Sequence, residues 1–154
     1  MAIAFAEERY DDAIAEIREM AARDGHLVAP VVEGVSFALD HGIYKAGADA
    51  KVLALYVARD EGRMVGFAWF FVGRTNPHYA GVNWASGSGV WLEEAARKFK
   101  VASRFLDFVE SALADRGMRV VQMGAKPGSA MARLLCARRH RMTDLIFTRE
   151  LQRA

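Results

Sequence analysis

Two apolar runs stand almost back to back in the middle of the chain. Lys51 to Ala58 reads KVLALYVA, and Arg63 to Val72 reads RMVGFAWFFV. Both are rich in β-branched and aromatic residues, and Asp60-Glu61-Gly62 lies between them. Runs of that composition around a short acidic, glycine-containing turn read as a β-hairpin. The rest of the chain has to pack around this pair. At 154 residues the chain is the length of one domain, and residues 1–154 are read as one.

The flanking patterns have a different period. Tyr10, Ala13, Ile14, Ile17, Met20 and Ala21 recur three and four apart, an amphipathic helix that Gly25 ends. Glu33 to Tyr44 reads as a second short helix broken by Gly42 and Gly47. Asn76-Pro77 marks a loop. Val82 to Trp84 and Gly89 to Leu92 read as strand pieces, with Ala85-Ser86-Gly87-Ser88 as a flexible link between them. Val101 to Arg116 is a helix whose stripe is Val101, Phe105, Phe108, Val109, Ala112 and Leu113, with Gly117 as its cap. Met118 to Met123 is a strand. Ala130 to Arg139 is a helix with Ser129 at its N-cap. Leu145 to Leu151 closes the chain as a strand. The predicted fold is mixed α/β, or α+β. It has a central, mostly antiparallel, twisted sheet of about six to seven strands flanked by about four helices. One parallel β-α-β unit is expected from Val90 to Met123.

The composition, 53% hydrophobic and 26% charged, is that of a globular domain rather than a disordered chain. The single cysteine, Cys136, excludes an internal disulfide. No apolar run is long enough to span a membrane, and the N-terminus turns acidic too early for a signal peptide. These readings predict a cytoplasmic protein with no membrane partner. No HExxH, paired CxxC or metal-spaced carboxylate cluster appears, so no metal is expected.

The chemistry concentrates between Val90 and Arg104, VWLEEAARKFKVASR. A strand ends at Leu92, and Arg97, Lys98 and Lys100 crowd the start of the next helix. The first amides of a helix lack intrahelical partners, and the helix dipole adds positive charge there, so such a start binds phosphate oxygens. Three cations beside it suit a pyrophosphate. Small residues at Ala102 and Ser103 let a phosphate approach closely.

This order of elements resembles the GNAT family of N-acetyltransferases. Its pyrophosphate loop reads Gln/Arg-x-x-Gly-x-Gly/Ala, and the matching stretch here is Arg97-Lys98-Phe99-Lys100-Val101-Ala102. Arg97 and Ala102 fit, and Lys100 stands in place of the first glycine. The resemblance covers roughly residues 50–151. The lead-in from His41 to Ala58 and the loop Asn76-Pro77-His78-Tyr79 look most like small bacteriophage-encoded members.

The resemblance implies an acyl-CoA-dependent N-acyltransferase that moves an acetyl group from acetyl-CoA to a primary amine. It implies that Val90, Trp91 and Leu92 align the pantetheine. It places Arg97, Lys98, Phe99, Lys100, Val101, Ala102, Ser103 and Arg104 about the pyrophosphate, with Ser129 and Arg133 as further cofactor contacts. The family's usual Glu base and Tyr acid have no counterpart: Ser86 and Ser88 occupy the strand, and Leu135, Cys136 and Ala137 the last helix. His78 and Tyr79 are nominated instead, one as the amine's base and the other as thiolate acid or acceptor clamp. Trp69, Phe70 and Phe71 are expected to pack the sheet, and Arg138-Arg139-His140-Arg141 to form a solvated helix end.

Two other functions keep the same fold. One is a phage-type enzyme that modifies DNA bases, with the basic clusters on phosphate. A net charge of +2 argues against nucleic acid as first choice. The other is a non-catalytic CoA-binding module. Exposed strand edges suit a homodimer.

Overall fold

The structure, a computed structural model, describes residues 3–23, 40–73, 78–87 and 90–143. Within them the order is β1 (Ala4–Glu7), α1 (Tyr10–Arg23), α2 (His41–Asp49), β2 (Leu53–Asp60) and β3 (Arg63–Gly73), followed by β4 (Trp84–Gly87) and β5 (Val90–Leu92). Then come α3 (Phe99–Asp115), β6 (Val120–Met123) and α4 (Ala130–Ala137). The expected mixed α/β fold is present. β1, β2, β3, β4 and β6 lie side by side, and β5 pairs with β3. All pairs are antiparallel except β4 with β6.

The hairpin forms as its composition dictates. β2 and β3 pair from Leu53↔Phe71 to Asp60↔Arg63. Glu61 and Gly62 take φ of 50° and 84° in the turn. Two positive φ values give a tight turn whose twist matches the strands. Alternation then sorts the side chains to two faces. Leu53, Leu55, Val57, Phe67 and Trp69 meet Ala13, Ile17 and Met20 of α1 on one face. Ala54, Tyr56, Ala58, Ala68, Phe70 and Val72 meet Phe105, Val109 and Leu113 of α3 on the other. α4 joins α3 through Leu106, Leu134 and Leu135. Burying one such side chain contributes on the order of 2–3 kcal/mol.

Several elements differ from the sequence reading. β1 was not anticipated: AFAE is too short to show a period, yet it completes the edge by pairing with β2 from Ala4↔Arg59 to Glu7↔Tyr56. α2 starts at His41, with the Asp40 carboxylate accepting from the Ile43 amide at 3.2 Å. It runs through Gly42 and Gly47 instead of breaking there. A Cβ at Gly47 would stand 2.9 Å from the Phe71 ring, so this glycine serves close packing. Residues 84–87 are strand rather than flexible link, and the parallel unit therefore begins at Trp84, not Val90. α3 begins at Phe99, two residues earlier than expected. Gly25, residues 33–39, Asn76-Pro77, Ser88 and the closing strand Leu145 to Leu151 lie outside the described residues. No helix among the described residues is long and apolar enough to cross a membrane.

One core residue carries a testable cost. Among the described residues the fully buried Tyr56 has no partner within hydrogen-bonding geometry for its hydroxyl, with the Arg116 side chain lying near it. Burial, helped by the charge of Glu7, pushes its pKa up to about 12 against an opposite pull from nearby Arg116. The unfolded phenol ionises from pH 10 upward while the folded one does not, so stability falls as pH rises from 10 toward 12. Tyr56→Phe is expected to raise the stability at pH 7 by about 1 kcal/mol, because an unsatisfied buried hydroxyl is removed. It is also expected to flatten the decline above pH 10. Urea unfolding of both proteins at pH 7 and pH 11 checks this.

Candidate functional site

The site grows from a mismatch in the sheet. Phe71 pairs with Ser86 and Phe67 with Trp91. From Ser86 to Trp91 is five steps, whereas from Phe71 to Phe67 is four. The strand pair therefore carries one surplus residue on the β4–β5 side, the count that defines a β-bulge. Up to Gly87, β4 stays in register with β6, ending at Gly87↔Met123, and the Gly124 amide still donates to the Gly87 carbonyl at 3.2 Å. Beyond that point β5 pairs with β3 alone among the described strands. β5 and the chain leaving β6 thus part company and leave a fork.

The backbone of β5 pairs with β3 along one edge only. Glu93 donates its amide to the Val65 carbonyl at 2.8 Å. By antiparallel alternation Trp91 also turns its backbone groups toward β3, and Val90 and Leu92 turn theirs away from it. Arg97 confirms the direction, because its Nε donates to the Leu92 carbonyl at 2.6 Å. The same guanidinium lies 5.9 Å from the Trp91 ring centroid. Arg97 therefore lies back along β5.

The helix start stands at the mouth of the fork. Lys98 is the N-cap of α3 in an extended conformation, with no side-chain cap. Its carbonyl accepts from the amides of Val101 and Ala102 at 2.9 and 3.0 Å. The amides of Phe99 and Lys100 precede the first amide that finds an intrahelical carbonyl, and they point outward, as helix-start amides do. The side chains of Lys98 and Lys100 are exposed there. α4 likewise begins past the carboxyl end of β6. Ser129 accepts from the Ala132 amide at 3.1 Å, and Arg133 donates to the Gly128 carbonyl at 2.7 Å.

The nominated residues are not all brought together. Val90, Leu92, Arg97, Lys98 and Lys100 meet at the fork. Val101 and Ala102 spend their amides on the Lys98 carbonyl, and their side chains pack on the core. Ser103 turns to α4, where its carbonyl and hydroxyl accept from Arg138. Arg104 turns to the far edge of the sheet, 5.5 Å from the Phe5 ring. Ser129 and Arg133 are occupied in capping α4. His78 and Tyr79 precede the amino end of β4, and Tyr79 stacks on Trp84 with centroids 5.4 Å apart. Trp84 stands three residues before Gly87, which is ~10 Å along a strand. Glu93, beside the fork, has its carboxylate held by Arg63 at 2.7 Å and Arg23 at 3.0 Å. Ser86 and Gly87, which the sequence reading placed in a link, stand where β4 leaves β6. The only signal for them was the glycine itself, since a Cβ at Gly87 would stand 2.5 Å from the Phe70 ring.

The acetyltransferase (GNAT) family matches residues 12–139, most of the chain. The chain belongs to that family. Solved structures agree in fold. A ribosomal-protein-alanine N-acetyltransferase from Brucella melitensis biovar Abortus 2308 superposes with a TM-score of 0.70 at 17% identity, covering 100% of this chain and 99% of that one. An aminoglycoside acetyltransferase from an uncultured soil metagenomic sample, in complex with sisomicin, reaches 0.72 at 11% identity, with 97% of each chain covered. A predicted acetyltransferase from Clostridium acetobutylicum, solved with acetyl-CoA, reaches 0.69 at 14% identity, covering 98% and 96%. No curated protein matches the sequence.

Proposed function

We propose that the protein transfers an acetyl group from acetyl-CoA to a primary amine, with the fork between β5 and β6 as the cofactor site. The observation that carries this reading is the outward backbone edge of Val90 and Leu92 leading directly to the bare start of α3. The pantetheine arm is an extended chain of amides, and a strand edge without a partner strand pairs with such a chain as it would with a peptide. The pyrophosphate then falls on the amides of Phe99 and Lys100, with the side chains of Lys98 and Lys100 beside it. Arg97 exchanges the Leu92 carbonyl for a phosphate oxygen as the pantetheine claims that carbonyl. Ser103, Arg104, Ser129 and Arg133, engaged with Arg138, the Phe5 ring and the start of α4, take no part in this reading.

Transfer requires the amine nitrogen to bond the thioester carbon, the carbon–sulfur bond to break, and the nitrogen's proton to leave as the thiolate gains one. His78 is proposed to accept the amine proton, directly or through water. Tyr79 is proposed to hold the acceptor or to protonate the thiolate. The DNA-base alternative, suggested by the resemblance to phage-encoded members, requires the same fork and differs only in the acceptor.

The test uses the purified full chain. Acetyl-CoA at about 100 times its dissociation constant is expected to stabilise the fold by about 2.7 kcal/mol, seen as a rise in melting temperature. Thiol release in the presence of an amine panel and a duplex oligonucleotide then reads the acceptor. An unchanged melting temperature at millimolar acetyl-CoA overturns the cofactor reading. Stabilisation without thiol release toward any acceptor leaves the protein a CoA-binding module.

A further inference from the structure

The opposite side of the fork has a composition of its own. Cross-strand neighbours share a face, so Ser86 and Trp84 project to the same side as Phe71, toward α1 and α2. Trp91 reaches that side as well, 5.8 Å from Phe67. α2 adds Tyr44, whose ring centroid is 4.6 Å from Trp69 and 5.9 Å from Phe71. Tyr79 closes the far end over Trp84. Phe67 and Trp69 are buried under the helices, whereas Tyr44, Phe71, Trp84, Ser86 and Trp91 keep part of their surface and Tyr79 is 55% exposed. The result is a wall of partly exposed rings on either side of Ser86, at the level where β4 leaves β6.

Among the described residues, this wall carries no carboxylate. β3, β4, β5 and residues 78–83 contain no Asp or Glu. Among the described residues, three carboxylates at the ends of the neighbouring elements are engaged elsewhere. Glu93 is held by Arg63 and Arg23, Asp40 caps α2, and Asp49 pairs with Lys45. Among the described residues the Trp84 indole N–H, shielded from solvent, has no hydrogen-bond partner. Buried donors of this kind are normally satisfied. A polycation bound here would leave its extra ammonium groups with no carboxylate, which is costly away from water. A single amine on a flat apolar body loses little, because aromatic faces stack on its ring and attract its one charge.

We propose that the acceptor is an arylalkylamine, a monoamine carried on an aromatic body. Its ring packs among Tyr44, Phe71, Tyr79 and Trp84, and its nitrogen lies at Ser86–Gly87 facing the thioester. The nitrogen–carbon bond forms as the carbon–sulfur bond breaks, giving an arylalkyl acetamide and CoA thiol, with one proton passing from nitrogen to sulfur. In this arrangement Tyr79 serves through its ring. The inference rests on the fork being the acetyl-CoA site.

The experiment compares tryptamine and 2-phenylethylamine with spermine and kanamycin in a thiol-release assay, with products weighed by mass spectrometry. Tryptamine is expected to show a kcat/KM at least tenfold above the polyamines. Tyr79→Ala is expected to raise the KM for tryptamine about tenfold, whereas Tyr79→Phe, which keeps the ring, is expected to hold the KM within threefold of the parent's whatever its effect on kcat. Melting with acetyl-CoA is measured on each variant, so that misfolding is seen directly. If acetyl-CoA stabilises the protein but the polyamines are preferred, or no arylalkylamine is acetylated, or Tyr79→Ala leaves the KM unchanged, the acceptor assignment is wrong and the cofactor reading stands. If acetyl-CoA does not stabilise the protein, both fall.

Discussion

Gly87→Ala is expected to lower the stability of the fold by roughly 3 kcal/mol, the upper range for overpacking a well-filled interior, and to weaken acetyl-CoA binding with it. The added Cβ would stand 2.5 and 2.6 Å from two carbons of the Phe70 ring and 2.8 Å from the Trp69 carbonyl oxygen. The carbonyl belongs to the central strand and cannot swing aside. Phe70 is fully buried between Tyr56 and the α3 layer, so its ring has no free rotamer to move into. Relief has to come from β4 moving away from β3 at the residue where β4 also parts from β6. Gly62→Ala is the matched control. Gly62 has φ of 84° with nothing within 4 Å of the added carbon, so only the left-handed backbone resists, at about 1 kcal/mol. Denaturant unfolding at constant m-value measures both. A Gly87→Ala loss no larger than that of Gly62→Ala would show that the two strands are not held this tightly.

Joint replacement of Lys98 and Lys100 by Glu is expected to weaken acetyl-CoA binding about 100-fold, or about 2.7 kcal/mol. The helix-start amides survive the change, so what is lost is the attraction of two ammonium groups, and what is gained is repulsion of the pyrophosphate by two carboxylates. Folding should not suffer. The N-cap of α3 has no side-chain acceptor, and acidic groups in a first turn interact favourably with the helix dipole. This opposition separates a binding defect from a folding defect: the melting temperature without ligand holds or rises, while the ligand-induced shift disappears. Arg119→Glu, half that charge change and placed at the amino end of β6, is expected to leave binding within twofold. Isothermal titration with acetyl-CoA reads all three. Equal losses for the two sites would mean that general surface charge, rather than the α3 start, draws the cofactor.

Much of this architecture was visible from residue spacing. The hairpin needed only its two apolar runs and the Asp60-Glu61-Gly62 turn, because strand pairing across a tight turn is a local event. The stripe from Val101 to Leu113, the cap at Gly117 and the Ser129 N-cap were legible for the same reason: each joins residues within a turn or two of one another. The basic helix start was legible as a phosphate site because the charge and the helix end adjoin in sequence. β1 was not, since four residues with two alanines carry no period, and only pairing with β2 makes them a strand. Gly47 was misread as a breaker, because its true constraint is the Phe71 ring 24 positions away.

The cofactor segment shows the division most clearly. By itself the sequence determined a strand, a basic stretch and a helix from Val90 to Gly117, and so a place for a phosphate-bearing ligand. The tertiary structure decided where the rest of that ligand goes. The surplus residue between Ser86 and Trp91 exists only relative to the count on β3. The outward turn of the Val90 and Leu92 backbone follows from that register, and so do the Arg97 contact to Leu92 and the gathering of Tyr44, Phe71, Tyr79 and Trp84 about Ser86. Local periodicity is set by neighbours along the chain, whereas register is set by which residues end up opposite each other, and only the folded sheet supplies that pairing.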